Sequence, residues 1–143
     1  MFTFCSKGRF SILFRQINLS KTKRWDASFL LANYILNEMD LSSLSNKKFV
    51  EIGAGVGLVG LVCASAIRES VVVFTDLPNT LDLTKRNIEA NRVSIQNNQS
   101  EVYALPLKWL AKFSFLKYFP TNFFRICKFG NLGVAILISS KRS

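Results

Sequence analysis

The sequence contains no histidine, and this absence excludes several classes of catalytic and metal site at once. A Ser-His-Asp or Cys-His nucleophile, a histidine general base and a histidine-ligated metal all require that side chain. The three cysteines, Cys5, Cys63 and Cys127, are too far apart for a metal site, and their odd number does not suit a disulfide framework. We therefore expect no metal and a reduced, cytoplasmic setting, with a mitochondrial or nuclear one as the alternative.

Long hydrophobic runs are missing too. The apolar stretch Val56–Ile67 has only 12 residues, and Gly57 and Gly60 interrupt it. A membrane-spanning helix needs about 18 apolar residues in a row. The sequence therefore predicts no transmembrane segment.

Acidic residues are absent from both ends of the chain. The net charge is +10, yet all nine acids lie between Asp26 and Glu101. The sequence accordingly divides into three parts: a basic N-terminal segment (1–24), a central domain (25–109) and an atypical basic and aromatic tail (110–143). The first part is interpreted as an edge strand over Phe10–Gln16 or as a targeting peptide. Contact of the basic flanks with nucleic acid or a membrane surface stays open, but a solvated extension is the simpler interpretation.

Hydrophobic runs and turn residues predict alternating helices and strands in the central domain. In chain order they are a mostly buried helix (Trp25–Asn37), a strand (Phe49–Ile52), a helix (Leu58–Ile67), a buried strand (Val71–Thr75), a helix (Thr80–Asn91), a polar loop (92–100) and a strand (Val102–Leu107). Gly60 lets the second helix lie close to a sheet, and Pro106 indicates an edge strand. Two strand–helix–strand units predict a parallel sheet, so the fold class is α/β and Rossmann-like.

A glycine loop and a following acid are the strongest chemical signal. Gly53, Gly55 and Gly57 lie between a strand and a helix, where the backbone can turn tightly and approach a ligand. Asp76 comes 23 residues after Gly53, at the end of the next strand. Both features belong at the same edge of a parallel sheet, where a carboxylate can accept the hydroxyls of a ribose.

Two cofactors suit this pattern. Residues 55–60 formally match the dinucleotide fingerprint G-x-G-x-x-G, which allows NAD(P) and an oxidoreductase. Glu51, however, is expected at the rim of the loop, where it would repel a pyrophosphate and attract the cationic S-adenosylmethionine. These residues therefore favour the methyl donor. The remaining interpretation is a glycine-rich turn without a ligand, with Asp76 capping the next helix.

The order of several segments resembles the family 16 methyltransferases. The segments are Trp25-Asp26-Ala27-Ser28, Glu51–Leu61, Thr75-Asp76-Leu77-Pro78 and Leu107-Lys108-Trp109. The resemblance implies a seven-β-strand fold that uses S-adenosylmethionine, often to methylate lysine side chains of proteins. It implies that the cofactor contacts Trp25, Gly53, Gly55, Gly57 and Trp109, that Glu51 and Leu77 lie beside it, and that Asp76 binds its ribose.

The resemblance ends after Trp109. The family pattern continues with an acid and, shortly after it, a tyrosine (D-x-x-Y), but no Asp or Glu follows Glu101 here. We therefore expect an incomplete second half and a shortened form of such an enzyme, in which no catalytic residue is identified. The alternative is an inactive cofactor- or partner-binding remnant. Leu132–Ile138 is the one later segment apolar enough to act as a substitute strand beside Phe49–Ile52.

Overall fold

The structure is a computed structural model that describes residues 2–6, 10–14, 25–107, 125–128 and 135–140, with side chains described for Ile12 and for 27–107. Its strands are β1 (Phe2–Ser6), β2 (Phe10–Phe14), β3 (Lys47–Ile52), β4 (Val71–Asp76), β5 (Glu101–Pro106), β6 (Arg125–Lys128) and β7 (Ala135–Ser140). Its helices are α1 (Trp25–Glu38), α2 (Leu58–Ala66), α3 (Leu81–Ala90) and α4 (Arg92–Asn97).

The central sheet has the strand order β5-β4-β3-β7-β6. Strands β3, β4 and β5 are parallel, with Val50 opposite Val73 and Val73 opposite Tyr103. This arrangement confirms the predicted α/β class and the two strand–helix–strand units. β5 lies at the end of the order, as Pro106 predicts, because an edge strand tolerates the missing N–H of proline.

The helices cover one face of this sheet and bury most of the core. Phe49, Val72 and Phe74 are almost fully buried in one cluster with residues of α1, α2 and α4. Side chains alternate between the two faces of a strand, so these residues share the helix-covered face. The same alternation turns Glu51 toward the helices, because it lies two residues after Phe49.

Two expectations about the helices are wrong. The stretch 92–100 is not simply a loop, because α4 forms in it and buries Ile95, which is 4% exposed. Burial of this side chain outweighs the weak helix propensity of its polar neighbours. Helix α1 is also less buried than expected, because Leu30 is 61% exposed and Tyr34 is 46% exposed. Its other face, with Leu31 and Ile35, packs into the core.

The tail supplies the neighbour that β3 needs on its second side. β7 pairs with β3 antiparallel, with Leu137 opposite Val50, and β6 pairs with the outer side of β7. The expectation of a substitute strand is confirmed for residues 135–138, and the strand continues to Ser140. An antiparallel strand needs no crossover helix, which explains how this short tail can extend the sheet.

The N-terminal strands form a separate pair. β1 and β2 are antiparallel, with Phe4 opposite Ile12, and they make a two-stranded sheet of their own. Ile12 is fully buried in the main core, and β2 lies against α2 and α3. Cys63 is buried and does not form a disulfide.

Neither a membrane helix nor a metal site occurs in the part of the chain that the structure describes. None of its helices is long and apolar enough to cross a bilayer. No group of three or more His, Cys, Asp or Glu side chains is placed to hold a metal ion.

Candidate functional site

The glycine loop, residues 53–57, connects the carboxyl end of β3 to the start of α2. Gly53, Gly55 and Gly57 all have positive φ angles, of 72°, 56° and 78°. A side chain at Gly57 would be strained for this reason and would also lie 3.0 Å from the ring of Phe74. The sequence therefore uses glycine where the chain must turn over a buried aromatic ring.

Backbone hydrogen bonds tie this loop to the end of β4. The N–H groups of Gly53 and Ala54 both donate to the carbonyl of Thr75, at 2.9 and 3.0 Å. The N–H of Gly57 donates to the carbonyl of Ala54 at 2.7 Å. These donors of the loop are thus already used within the protein.

Asp76 lies directly against the loop. Its Oδ2 accepts a hydrogen bond from the N–H of Gly55 at 2.6 Å, and its Oδ1 accepts one from the N–H of Leu77 at 2.7 Å. The carboxylate is only partly buried, and an oxygen that accepts one hydrogen bond keeps a second lone pair. Asp76 can therefore hold the loop and also accept hydroxyl groups of a ligand.

Glu51 lies beneath the loop and not at its rim. Its side chain is 1% exposed, and its Oε2 accepts the N–H of Gly60 at 2.9 Å. Burial raises the pKa of Glu51 from 4.5 to about 8, and it outweighs the opposite effect of the Gly60 and Val59 N–H groups. The carboxyl is thus largely protonated at neutral pH, so the charge expected at the rim is absent there.

Gly60 brings α2 close to the sheet. A Cβ at this position would overlap the ring of Phe74 and lie 2.7 Å from Oε2 of Glu51. Only glycine leaves space for both side chains. The expected close approach of α2 is therefore confirmed at Gly60, and it is what allows Glu51 to reach a helix N–H.

Two residues of α3 that sequence reasoning missed hold the loop from its other side. Thr84 Oγ1 donates to the carbonyl of Gly55 at 2.7 Å, and Asn87 Nδ2 donates to the carbonyl of Val56 at 2.9 Å. Both residues are fully buried. The signal that could have found them is a pair of polar residues three apart, on the apolar side of an otherwise amphipathic helix.

The remaining predicted site residues are Leu77, Trp25 and Trp109, and the structure describes the side chain of Leu77 alone among them. Leu77 is 41% exposed and lies next to Asp76, before the start of α3. Trp25 is the first residue of α1, and its side chain lies outside the described residues. Trp109 lies outside them altogether.

These elements define a class of protein. A glycine loop between a parallel strand and a helix, with an acid at the end of the neighbouring strand, is the ligand-binding edge of Rossmann-like α/β proteins. A profile of the lysine methyltransferase family matches residues 13–119, more than half of the chain. The chain belongs to that family, which confirms the resemblance found in its sequence.

Curated relatives agree with this assignment. The chain is 37% identical to EEF1A lysine methyltransferase 3 of Xenopus tropicalis, over 57% of this chain and 34% of that protein. It is 42% identical to protein N-lysine methyltransferase METTL21A of Mus musculus, over 47% of this chain and 29% of the relative. Calmodulin-lysine N-methyltransferase of Arabidopsis thaliana is 33% identical, over 60% of this chain and 27% of that protein. The matches thus span about a third or less of each relative.

Proposed function

We propose that this chain binds S-adenosylmethionine at the glycine loop and serves methyl transfer to a lysine side chain of a protein. The observation that carries the proposal is the carboxylate of Asp76, 2.6 Å from the N–H of Gly55 at the carboxyl end of β4. This is where a ribose diol would find a charged acceptor beside a backbone that permits close approach. Residues 25–109 would form the cofactor-binding half.

The contacts of the loop favour S-adenosylmethionine over a dinucleotide. A pyrophosphate is held by free N–H groups of the glycine loop and of the helix that follows it. Here the N–H of Gly55, the first glycine of the formal fingerprint, donates to the carboxylate of Asp76. A phosphate at that position would meet a negative charge. This preference does not require a charge on Glu51, whose carboxyl is buried and largely neutral.

The residues would divide the work as follows. Gly53, Gly55 and Gly57 would line the amino-acid side of the cofactor, and Asp76 would hold its ribose. Leu77, which is exposed beside Asp76, offers apolar surface to the purine. Glu51 lies behind the loop and would hold α2 in place by accepting the N–H of Gly60. Contacts of Trp25 and Trp109 with the cofactor rest on the family resemblance alone.

When bound, S-adenosylmethionine supplies an electrophilic methyl group on a sulfonium. The loop and Asp76 would fix the direction of that methyl group, and the enzyme then has to align a neutral amine in line with it and exclude water. No Asp or Glu follows Glu101, and the sequence has no histidine. The orientation of the amine would therefore not depend on a carboxylate of residues 102–143 or on an imidazole.

Binding measurements test the cofactor assignment. Isothermal titration calorimetry should show binding of S-adenosylmethionine and S-adenosylhomocysteine and much weaker binding of NAD. Asp76→Ala should weaken S-adenosylhomocysteine binding at least about tenfold, since a charge-assisted hydrogen bond contributes about 1.5–3 kcal/mol. Asp82→Ala is the matched control, because Asp82 is an exposed acid at the start of α3. Tight NAD binding without any response to S-adenosylhomocysteine would overturn the assignment.

A second candidate function is cofactor binding without turnover. It is favoured by residues 102–143, which contain no Asp or Glu and therefore no D-x-x-Y motif of the family. Incubation with radiolabelled S-adenosylmethionine and cell extract separates the two candidates. Protein labelling that is lost in Asp76→Ala supports the enzyme, whereas S-adenosylhomocysteine binding without labelling supports the binding protein.

A further inference from the structure

We propose that Thr84 and Asn87 are positioning residues that hold the glycine loop in the shape required by its ligand. The inference rests on the proposed function, in that the ligand is taken to be S-adenosylmethionine. Both residues lie on α3, outside the loop and outside the strand ends that carry the glycines and Asp76. They would act through the backbone of the loop and not by touching the ligand.

Both backbone polar groups of Gly55 are held by side chains. Its N–H donates to Oδ2 of Asp76 at 2.6 Å, and its carbonyl accepts the hydroxyl of Thr84 at 2.7 Å. The hydroxyl therefore limits rotation about the loop backbone, which has no side chain at Gly55 to restrain it. Because Gly55 also donates to Asp76, the hydrogen bond from Thr84 to Gly55 would help to fix the direction of the Asp76 carboxylate.

The next carbonyl along the loop is held in the same way. Asn87 Nδ2 donates to the carbonyl of Val56 at 2.9 Å, one helical turn further along α3 than Thr84. Gly57 follows with a φ of 78° and is the residue directly before α2. Two consecutive carbonyls fixed by one helix keep this left-handed residue, and with it the start of α2, in place.

The burial of both side chains makes their hydrogen bonds restrictive. Thr84 and Asn87 are each 0% exposed. Water cannot easily replace a buried donor, so a lost bond would leave the loop carbonyl poorly satisfied or let the loop move. The methyl group of Thr84 would also lie 3.3 Å from a Cβ placed at Gly57, so this side chain packs against the loop as well.

Four variants of the full chain test this role. Thr84→Val and Asn87→Ala remove the two donors, and Thr84→Ser keeps the hydroxyl. Asn98→Ala is the control, because Asn98 Nδ2 also donates to a distant carbonyl, that of Ser65 near the far end of α2. Each variant is compared with the wild type by amide hydrogen exchange of residues 53–57 without ligand and by calorimetric binding of S-adenosylhomocysteine.

We expect Thr84→Val and Asn87→Ala to speed exchange in the loop and to weaken S-adenosylhomocysteine binding, each by about threefold to tenfold. Thr84→Ser should stay close to the wild type, and Asn98→Ala should change neither quantity. Unchanged loop exchange in both donor variants would overturn the inference, and so would equal effects in Asn98→Ala. If the wild type does not bind S-adenosylhomocysteine, the proposed function fails, while the exchange rates still decide whether α3 holds the loop.

Discussion

Glu51 is an acid that the fold keeps away from water. Its side chain lies between β3 and α2 and accepts the N–H of Gly60 at 2.9 Å. Burial is the main cause of its raised pKa of about 8, and the negative charge of Asp76 adds to it. The native protein therefore holds a proton here under conditions in which the unfolded chain has already released it.

This proton makes stability depend on pH in a defined direction. Between the unfolded pKa of 4.5 and the native pKa of about 8, unfolding releases the proton of Glu51. A rise in pH across this window therefore lowers the free energy of unfolding, by at most about 1.4 kcal/mol per pH unit from this group. Below pH 4.5 Glu51 is protonated in both the native and the unfolded state, and its full contribution to the free energy of unfolding is present. Above pH 8 it is ionised in both states, and a further rise in pH causes no further loss of stability from this group.

Glu51→Gln isolates this contribution. Glutamine keeps a carbonyl that can accept the N–H of Gly60 but has no proton to release. Urea denaturation at several pH values should show the wild type losing stability relative to Glu51→Gln as the pH rises from 4.5 to 8. Parallel curves for the two proteins would mean that Glu51 ionises in the folded state as it does in the unfolded one.

Part of the candidate site could be predicted from the sequence, and the rest could not, for a physical reason. Spacing and strand ends place Asp76 beside the glycine loop, because parallel strands end at one edge of a sheet. Thr84 and Asn87 were missed, because their contacts depend on how α3 rotates over the loop. The rim position expected for Glu51 was not found, since strand alternation turns its side chain toward α2.

At the scale of elements, Gly60 determines how closely α2 approaches the sheet. A Cβ at Gly60 would overlap the ring of Phe74, which is itself fully buried. Alanine is favoured over glycine inside a helix by about 1 kcal/mol. Overpacking a filled core costs about 1–3 kcal/mol, so the unfavourable contact with Phe74 should outweigh the gain in helix propensity.

Gly60→Ala should therefore destabilise the protein by about 1–2 kcal/mol in chemical denaturation, despite its better helix propensity. The cost should shrink in a Phe74→Leu background, where the smaller side chain vacates the space that the new methyl group needs. A double-mutant cycle should give a favourable coupling of about 1 kcal/mol. Strictly additive effects would show that the ring of Phe74 does not limit the approach of α2.

Helix α4 is an element that its polar sequence conceals. Ile95 is 4% exposed, whereas Val93 on the same helix is 64% exposed. Ile95→Ala should cost about 2–4 kcal/mol of unfolding free energy, because a buried side chain is truncated. Val93→Ala, the matched control, should stay within about 0.5 kcal/mol of the wild type. Similar costs for both variants would contradict the packing of α4 on the core.

The whole molecule depends on how its sheet is completed. The alternating pattern of the sequence predicts the three parallel strands. It does not predict the strand that pairs with the second side of β3, because residues 102–143 contain no further strand–helix–strand unit. The apolar character of 132–138 indicated a strand, and β7 pairs with β3 along its full length, from Ile52 to Lys47. The additional strand β6 was not predicted, since four residues between basic positions give little pattern.

The pairing of β7 is also the feature of the molecule that a single substitution can test most directly. Residues 135–138 of β7 lie between β3 and β6, so each of their N–H groups faces one strand or the other. Leu137→Pro removes one of these donors and should lower the free energy of unfolding by at least about 2 kcal/mol. It should also favour aggregation, because the edge of β3 becomes exposed. Leu137→Val, which keeps the donor and suits a strand, should change the stability by less than about 1.5 kcal/mol. If Leu137→Pro unfolds at the same urea concentration as the wild type and stays monomeric in light scattering, β7 does not stabilise the sheet, and β3 must be protected in another way.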